Sequence, residues 1–193
     1  RRQRQMCIRD RNNRKQIAEL PSGGEIGRDR YQQKMAYLRK VQPAYDAYDE
    51  AEQALKSGDT QKARQLLATA KKIEPKEALF HGLEGDIYLE QENFRQAERA
   101  YSQAIRRNPD WFYFHLRRGQ VRESMDKLKQ ARTDLTRSNE LLDTSIGRYI
   151  LGVVERRSGN RNAAIENLRQ AAAAGGEIGE QANAELRTMG VNG

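Results

Sequence analysis

Apolar positions recur along this chain at helical spacing, in pairs of stretches of about fourteen residues separated by a short break. In the clearest pair the stretches are ALFHGLEGDIYLEQ over 78–91 and FRQAERAYSQAIRR over 94–107. The pairs repeat. Ala63, Ala97, Ala131 and Ala164 stand 34, 34 and 33 residues apart. Leu67, Tyr101, Leu135 and Leu168 lie four residues further on, and Ala70, Ala104, Ser138 and Ala171 seven further on. Ala51, Gly85, Gly119 and Gly152 lie twelve before. A fixed period of this length predicts a solenoid, in which no unit can bury its apolar face without its neighbours.

The small residues have a steric task. A Gly on one helix and an Ala on the other let two backbones approach closely, and a larger side chain at the crossing would add about 1–3 kcal/mol of strain. Tyr101 or Leu67 is expected to fill the gap between one helix pair and the next. Pro75 and Pro109 end the second helices of the first two units, because proline lacks a donor and clashes with the preceding turn. Gly175–Gly176 reads as a further helix stop, and IGEQANAELRTM as a helix capping the apolar end of the stack. The units fall at 44–77, 78–111, 112–144 and 145–176, with cap and tail at 177–193. The alternative is an irregular helical bundle.

Gly85, Tyr88, Phe94, Ala97, Tyr101, Ala104 and Pro109 make the second unit resemble a tetratricopeptide repeat. The other copies resemble it more loosely, and the third has Arg122 where Tyr is usual and Asp143 where Pro is usual. The resemblance covers about 44–174. It implies an all-α, right-handed α-solenoid of about four helix-turn-helix units with a capping helix and a short N-terminal helix. It also implies a concave groove lined by the first helix of each unit. Carried over position by position, that groove holds Tyr45, Tyr48, Glu52, Leu55, Leu79, Gly82, Asp86, Leu89, Tyr113, Leu116, Gln120, Glu123, Ile146, Tyr149, Val153 and Arg156. Such a surface suits an extended or helical peptide with apolar anchors. Tyr45, Tyr48 and Tyr113 could equally pack against the leader helix or between units. The family's chaperone-type carboxylate clamp needs Lys and Asn where Tyr48 and Glu52 stand, so an acidic C-terminal tail is not the expected ligand.

Charge then changes the picture in one place. The formal net charge is +8. The first 40 residues hold 12 Lys and Arg against 4 Asp and Glu, while 41–193 hold 23 of each sign. The basicity belongs to the leader, which argues against a nucleic-acid surface on the repeats. Arg106–Arg107, Arg117–Arg118 and Arg156–Arg157 read as solvated helix faces. In the leader, 2–11 (RQRQMCIRDR) resembles translated sequencing-adapter read-through, and Cys7, the one cysteine, lies within it, so cysteine content decides nothing about compartment. Residues 12–43 read as a linker with a turn at Pro21–Gly24 and a helix bearing Tyr31, Met35 and Leu38 on one face. Pro43 suits the first turn of the first repeat helix.

No catalytic motif is present: no HExxH, nucleophile elbow or phosphate loop. His81 and His115 occupy one position of adjacent units, about 10 Å apart by helix packing, too far to share an ion. Packing is their expected role, and no cofactor or metal is expected in this chain. The run Trp111–Phe112–Tyr113–Phe114 points in all directions around a helix, so Tyr113 is expected to face the groove while others pack between units. Finally, LPSGGEIGRDRY followed by QPAYDAYDEAEQALKSGD, over about 20–55, resembles HtpX-like bacterial zinc metallopeptidases related to the beta-barrel assembly-enhancing protease. That resemblance implies a periplasmic parent whose zinc-bearing domain lies upstream. It also implies a repeat region docking protein clients, the protease domain or outer-membrane assembly machinery. The alternative is a stand-alone adaptor or envelope-assembly lipoprotein.

Overall fold

The structure is a computed structural model describing residues 27–191. The expectations for residues 1–11, Cys7 and the turn at Pro21–Gly24 lie outside the described residues. The chain divides into two units, Arg1–Lys40 and Val41–Gly193. The described residues are all-α. The helices are α1 (Arg28–Lys56), α2 (Thr60–Ile73), α3 (Ala78–Glu90), α4 (Phe94–Arg107), α5 (Phe112–Ser124), α6 (Leu128–Leu141), α7 (Ser145–Arg157), α8 (Arg161–Ala173) and α9 (Gly176–Thr188). In the first unit, Tyr31 and Leu38 are exposed and Met35 is half-buried.

One sequence expectation fails here. Pro43 does not open a helix; it lies inside α1, which runs through it for 29 residues. Pro43 is exposed, so water can satisfy the carbonyl left without its amide partner, and the interruption costs less than it would in a core.

In the second unit, residues 41–56 pair with α2, α3 with α4, α5 with α6, and α7 with α8, while α9 closes against α8 and α7. Each hairpin turns on the same device. Gly58, Glu92, Asp126 and Gly159 keep the repeat interval and all have positive φ, at 81°, 53°, 58° and 80°. Glycine adopts this conformation without strain; Glu92 and Asp126 adopt it at a cost. The next amide then reaches back to the first helix: Asp59 N to Ala54 O, Asn93 N to Tyr88 O, Lys127 N to Arg122 O and Asn160 N to Glu155 O, at 2.8–2.9 Å. These are helix-ending bonds of the Schellman type.

The crossing differs in detail from the expectation. A Cβ on Gly85 would lie 2.6 Å from the Tyr101 ring, and on Gly119 and Gly152 it would lie 2.7 Å from Leu135 and Leu168. The glycines therefore make room for the large residue of their own hairpin, and that residue also packs on the next one, Leu67 with Leu83 and Ile87, Tyr101 with Val121 and Leu135 with Val154. Tyr101, Leu135 and Leu168 are fully buried there.

The connections between hairpins also repeat. His81 Nε2 lies 3.3 Å from Pro75 O, and His115 Nε2 2.8 Å from Pro109 O. Each ring donates to the loop carbonyl, a structural task, and each is buried. In the fourth hairpin Arg148 grips Asp143 with two bonds of 2.6 and 2.8 Å, a side chain replacing the carbonyl. Among the described residues no group of His, Cys, Asp and Glu could hold a metal ion, and no helix is long and apolar enough to cross a membrane.

The two layers are unequal. Helices α3 and α5 touch, as do α5 and α7, whereas no two of α2, α4, α6 and α8 do. The layer whose members come close to one another is taken as the inner layer. It is formed by 41–56, α3, α5 and α7.

Candidate functional site: the inner face of the first three hairpins

Three successive inner helices converge on one pocket of about 320 Å³, lined by Tyr48 and Glu52 from α1, Leu79 and Asp86 from α3, and Trp111 and Tyr113 at the start of α5. Its floor exists because of a glycine. Gly82 stands one repeat on from Tyr48, and a Cβ there would lie 2.4 Å from the Phe114 ring. In the preceding hairpin Tyr48 fills the equivalent space and stacks on Phe80 at 5.5 Å, with Tyr45 edge-on to the same ring at 5.5 Å. Phe80 and Phe114 are both fully buried.

Polar groups around the pocket are held by short bonds. Tyr45 donates to Glu77 and Tyr48 to Glu52, each at 2.6 Å. Asp86 Oδ1 accepts from Tyr101 at 2.7 Å, Tyr113 at 2.9 Å and Arg117 Nε at 3.0 Å. Arg117 also donates to Gln120 at 2.8 Å and lies over the Tyr113 ring. Burial pushes the Tyr48 phenol well above its usual range, and the Glu52 carboxylate pushes it the same way. Burial and the Asp86 charge do the same to Tyr113. Both phenols therefore stay protonated as donors, in a setting of negative potential.

Of the sequence-derived groove set, Tyr48, Glu52, Leu79, Asp86 and Tyr113 meet at this pocket, and Tyr45 lies one turn away. Leu55 and Leu89 are half-buried on the same layer, packed on the core clusters of their hairpins. Leu116 is a correction: it is buried in the core with Leu135 and Ile150 and offers no groove surface. Gln120 is engaged by Arg117, Glu123 is ion-paired with Arg157, and Arg156 lies 3.0 Å from Glu185. Tyr149 packs on two core clusters beside Ile146, and Val153 is half-buried.

Two features of the candidate site escaped sequence reasoning. Trp111, 44% exposed, stands at the pocket rim; the aromatic run drew attention to Tyr113 instead. Arg117, read as solvated, is bound to Asp86, and its neighbour Arg118 is bound to Asp134 by two bonds of 2.8 and 2.7 Å. Arg122, the departure from the usual Tyr, bridges Glu98 at 2.8 Å and Asp134 at 2.9 Å. Asp86 and Glu98 lie in the preceding repeat and Asp134 on the other helix of the same hairpin, and an unaligned charge carries no signal of its partner.

Residues 54–118 match the tetratricopeptide repeat family model. No sequence among the curated proteins matches the chain. Among solved structures, a thermophilic TPR protein of Thermus thermophilus superimposes with a TM-score of 0.65 at 20% identity, over 79% of this chain and 86% of that one. MamA superimposes with a TM-score of 0.63 at 14% identity, over 84% and 97%. The first TPR of Spaghetti, bound to an HSP90 peptide, gives 0.60 at 20% identity, over 62% and 95%. At these identities the likeness is one of fold: an all-α helical repeat.

Proposed function

We propose, from a chain whose residues 54–118 carry tetratricopeptide repeats, that this protein is a non-catalytic scaffold holding a partner polypeptide along its inner helix layer. The observation that carries the reading is the pocket shared by three successive inner helices, with apolar Leu79, five aromatic rings and two carboxylates at one place. Apolar anchors in a pocket supply most of the affinity of such contacts, while a few polar groups fix register. Spaghetti's first TPR, of the same fold, holds a peptide of sequence SRMEEVD. That acid-rich peptide is a poor model for the partner here, because Tyr48 and Glu52 present an acid where a carboxylate clamp needs donors.

The test is to pan a random peptide display library on the full chain and map the best binder by hydrogen exchange. Protection is expected in α3 and α5. No enriched peptide, or protection confined to α2 and α4, overturns the reading.

A finer reading rests on the resemblance over about 20–55. The scaffold would be the client- or partner-docking region of a periplasmic zinc metallopeptidase, with zinc belonging to the parent's catalytic domain. The upstream reading frame tests it. An HExxH helix within about 250 residues, one domain plus margin, supports the peptidase, and a lipobox or start codon supports a stand-alone envelope adaptor.

A further inference from the structure

Charge is sorted by layer in the first two hairpins. The outer helix α2 carries Lys62, Arg64, Lys71 and Lys72 and no acid. The inner helix α3 carries Glu84, Asp86 and Glu90 and no Lys or Arg. Glu84 turns outward to Lys71 at 2.8 Å; Asp86 remains on the inner face. On α1, Glu52 faces the same pocket, and Lys56 is the one base in 41–56. Lys56 lies 3.8 Å from Glu52 with its side chain 77% exposed, a solvated pair worth little.

Neither carboxylate is saturated. All three bonds to Asp86 fall on Oδ1, and its Oδ2 accepts none among the described residues. Glu52 accepts through Oε1 from Tyr48. Arg117, the basic group on the α5 side, is committed to Asp86 Oδ1 and Gln120, so it balances one of the two acids. Trp111, Tyr48 and Tyr113 also line the pocket, and aromatic rings attract cations through their quadrupoles.

From this we infer that the pocket between Glu52, Asp86 and Trp111 takes a lysine or arginine side chain of the partner segment. The inference rests on the docking reading above and names the chemistry that the docked segment must carry. The alkyl stem of such a side chain suits Leu79 and the ring edges, while its charged head reaches the carboxylates. An acidic segment is excluded by repulsion at the same place.

Trp111 is the chain's one tryptophan, so its fluorescence reports this pocket directly. The full chain is titrated with N-acetylated amides of Ser-Ala-Leu-Ala-X-Ala-Leu-Ala-Ser in which X is Arg, Lys, Gln or Glu. The Arg and Lys peptides are expected to bind about fivefold more tightly than the Gln peptide, the size of one exposed cation–π contact, and the Glu peptide most weakly. The advantage should shrink as salt rises from about 50 to 500 mM. Glu52→Gln, whose amide oxygen can still accept from Tyr48, should bring Arg and Gln within about twofold, with its melt unchanged. Equal binding of all four peptides, or preference for Glu, overturns the cation pocket and leaves the docking reading standing. If none of the four alters Trp111 fluorescence and display enriches no peptide, the docking reading falls and the pocket assignment falls with it.

Discussion

The junction between the first and second hairpins and the junction between the second and third share a backbone register but not a chemistry. One pair of positions faces across each junction on the outer side. At the first it is Arg64 over the Tyr88 ring, 5.9 Å from its centroid. At the second it is Glu98 with Arg122, at 2.8 Å. At the third junction it is Arg132 with Glu155, at 2.7 Å, the polarity reversed. On the inner side, the first junction is an aromatic stack of Tyr45, Tyr48 and Phe80. The second puts Gly82 against Phe114 and gathers Asp86, Tyr113 and Arg117. The repeat fixes where side chains meet; each junction then selects its own complementary pair. Mixed pairings of this kind favour one order of units over others, since a like-charged match would repel.

Two aspartates beside the second junction, Asp86 before it and Asp134 within the third hairpin, have different fates. Asp134 is 2% exposed, and both its oxygens are bound by Arg118 and Arg122. Burial, the largest influence, pushes its carboxyl upward. The contact with His115, the bonds from Arg118 and the charges of Arg118 and Arg122 outweigh it and hold the carboxyl below the usual carboxylate range. Asp86 keeps one oxygen unused and faces a pocket. A saturated carboxylate serves the fold, whereas an unsaturated one beside open space can serve a ligand.

Three substitutions separate the junctions, from the strongest expected effect to the weakest. Asp134→Ala leaves Arg118 without its acid and Arg122 with Glu98 alone, and should cost about 3–5 kcal/mol, the range for breaking a buried pair, read as a fall in urea midpoint. A loss below about 1 kcal/mol, the value of a surface pair, would mean that the cluster is solvated and the contrast with the aromatic junction is illusory. Gly82→Ala drives a Cβ into the Phe114 ring. Overpacking of about 1–3 kcal/mol should exceed the gain of up to about 1 kcal/mol from replacing a helical glycine. A higher melting temperature would show that the inner face of the second junction has slack. Arg64→Ala tests the first junction's outer pair and should cost about 0.5–1 kcal/mol, the value of an exposed cation–π contact. A cost equal to that of Asp134→Ala would erase the distinction.

The helix pattern was legible to within a residue in the second hairpin: stretches expected at 78–91 and 94–107 form Ala78–Glu90 and Phe94–Arg107. Pro75 and Pro109 lie beyond their helices, as proline chemistry requires. Pro43 misled, because whether a proline ends a helix depends on whether the carbonyl it strands can reach water. The groove was half legible. The tetratricopeptide resemblance placed Tyr48, Glu52, Leu79, Asp86 and Tyr113 on one layer. Phase could not tell Leu116, which is core, from Leu79, which lines the pocket, since depth is set by the neighbouring hairpin.

By itself the sequence determined the all-α repeat, its interval and its paired helices, because those follow from periodic apolar and small residues acting within a turn or two of helix. The tertiary structure alone decided which charges are matched and which remain available. Arg118 and Asp134 sit 16 residues apart and Arg117 and Asp86 31 apart. Hairpin closure brings the first pair within reach and stacking of hairpins the second, and a Coulomb interaction depends on separation and burial, neither of which is written in the order of residues.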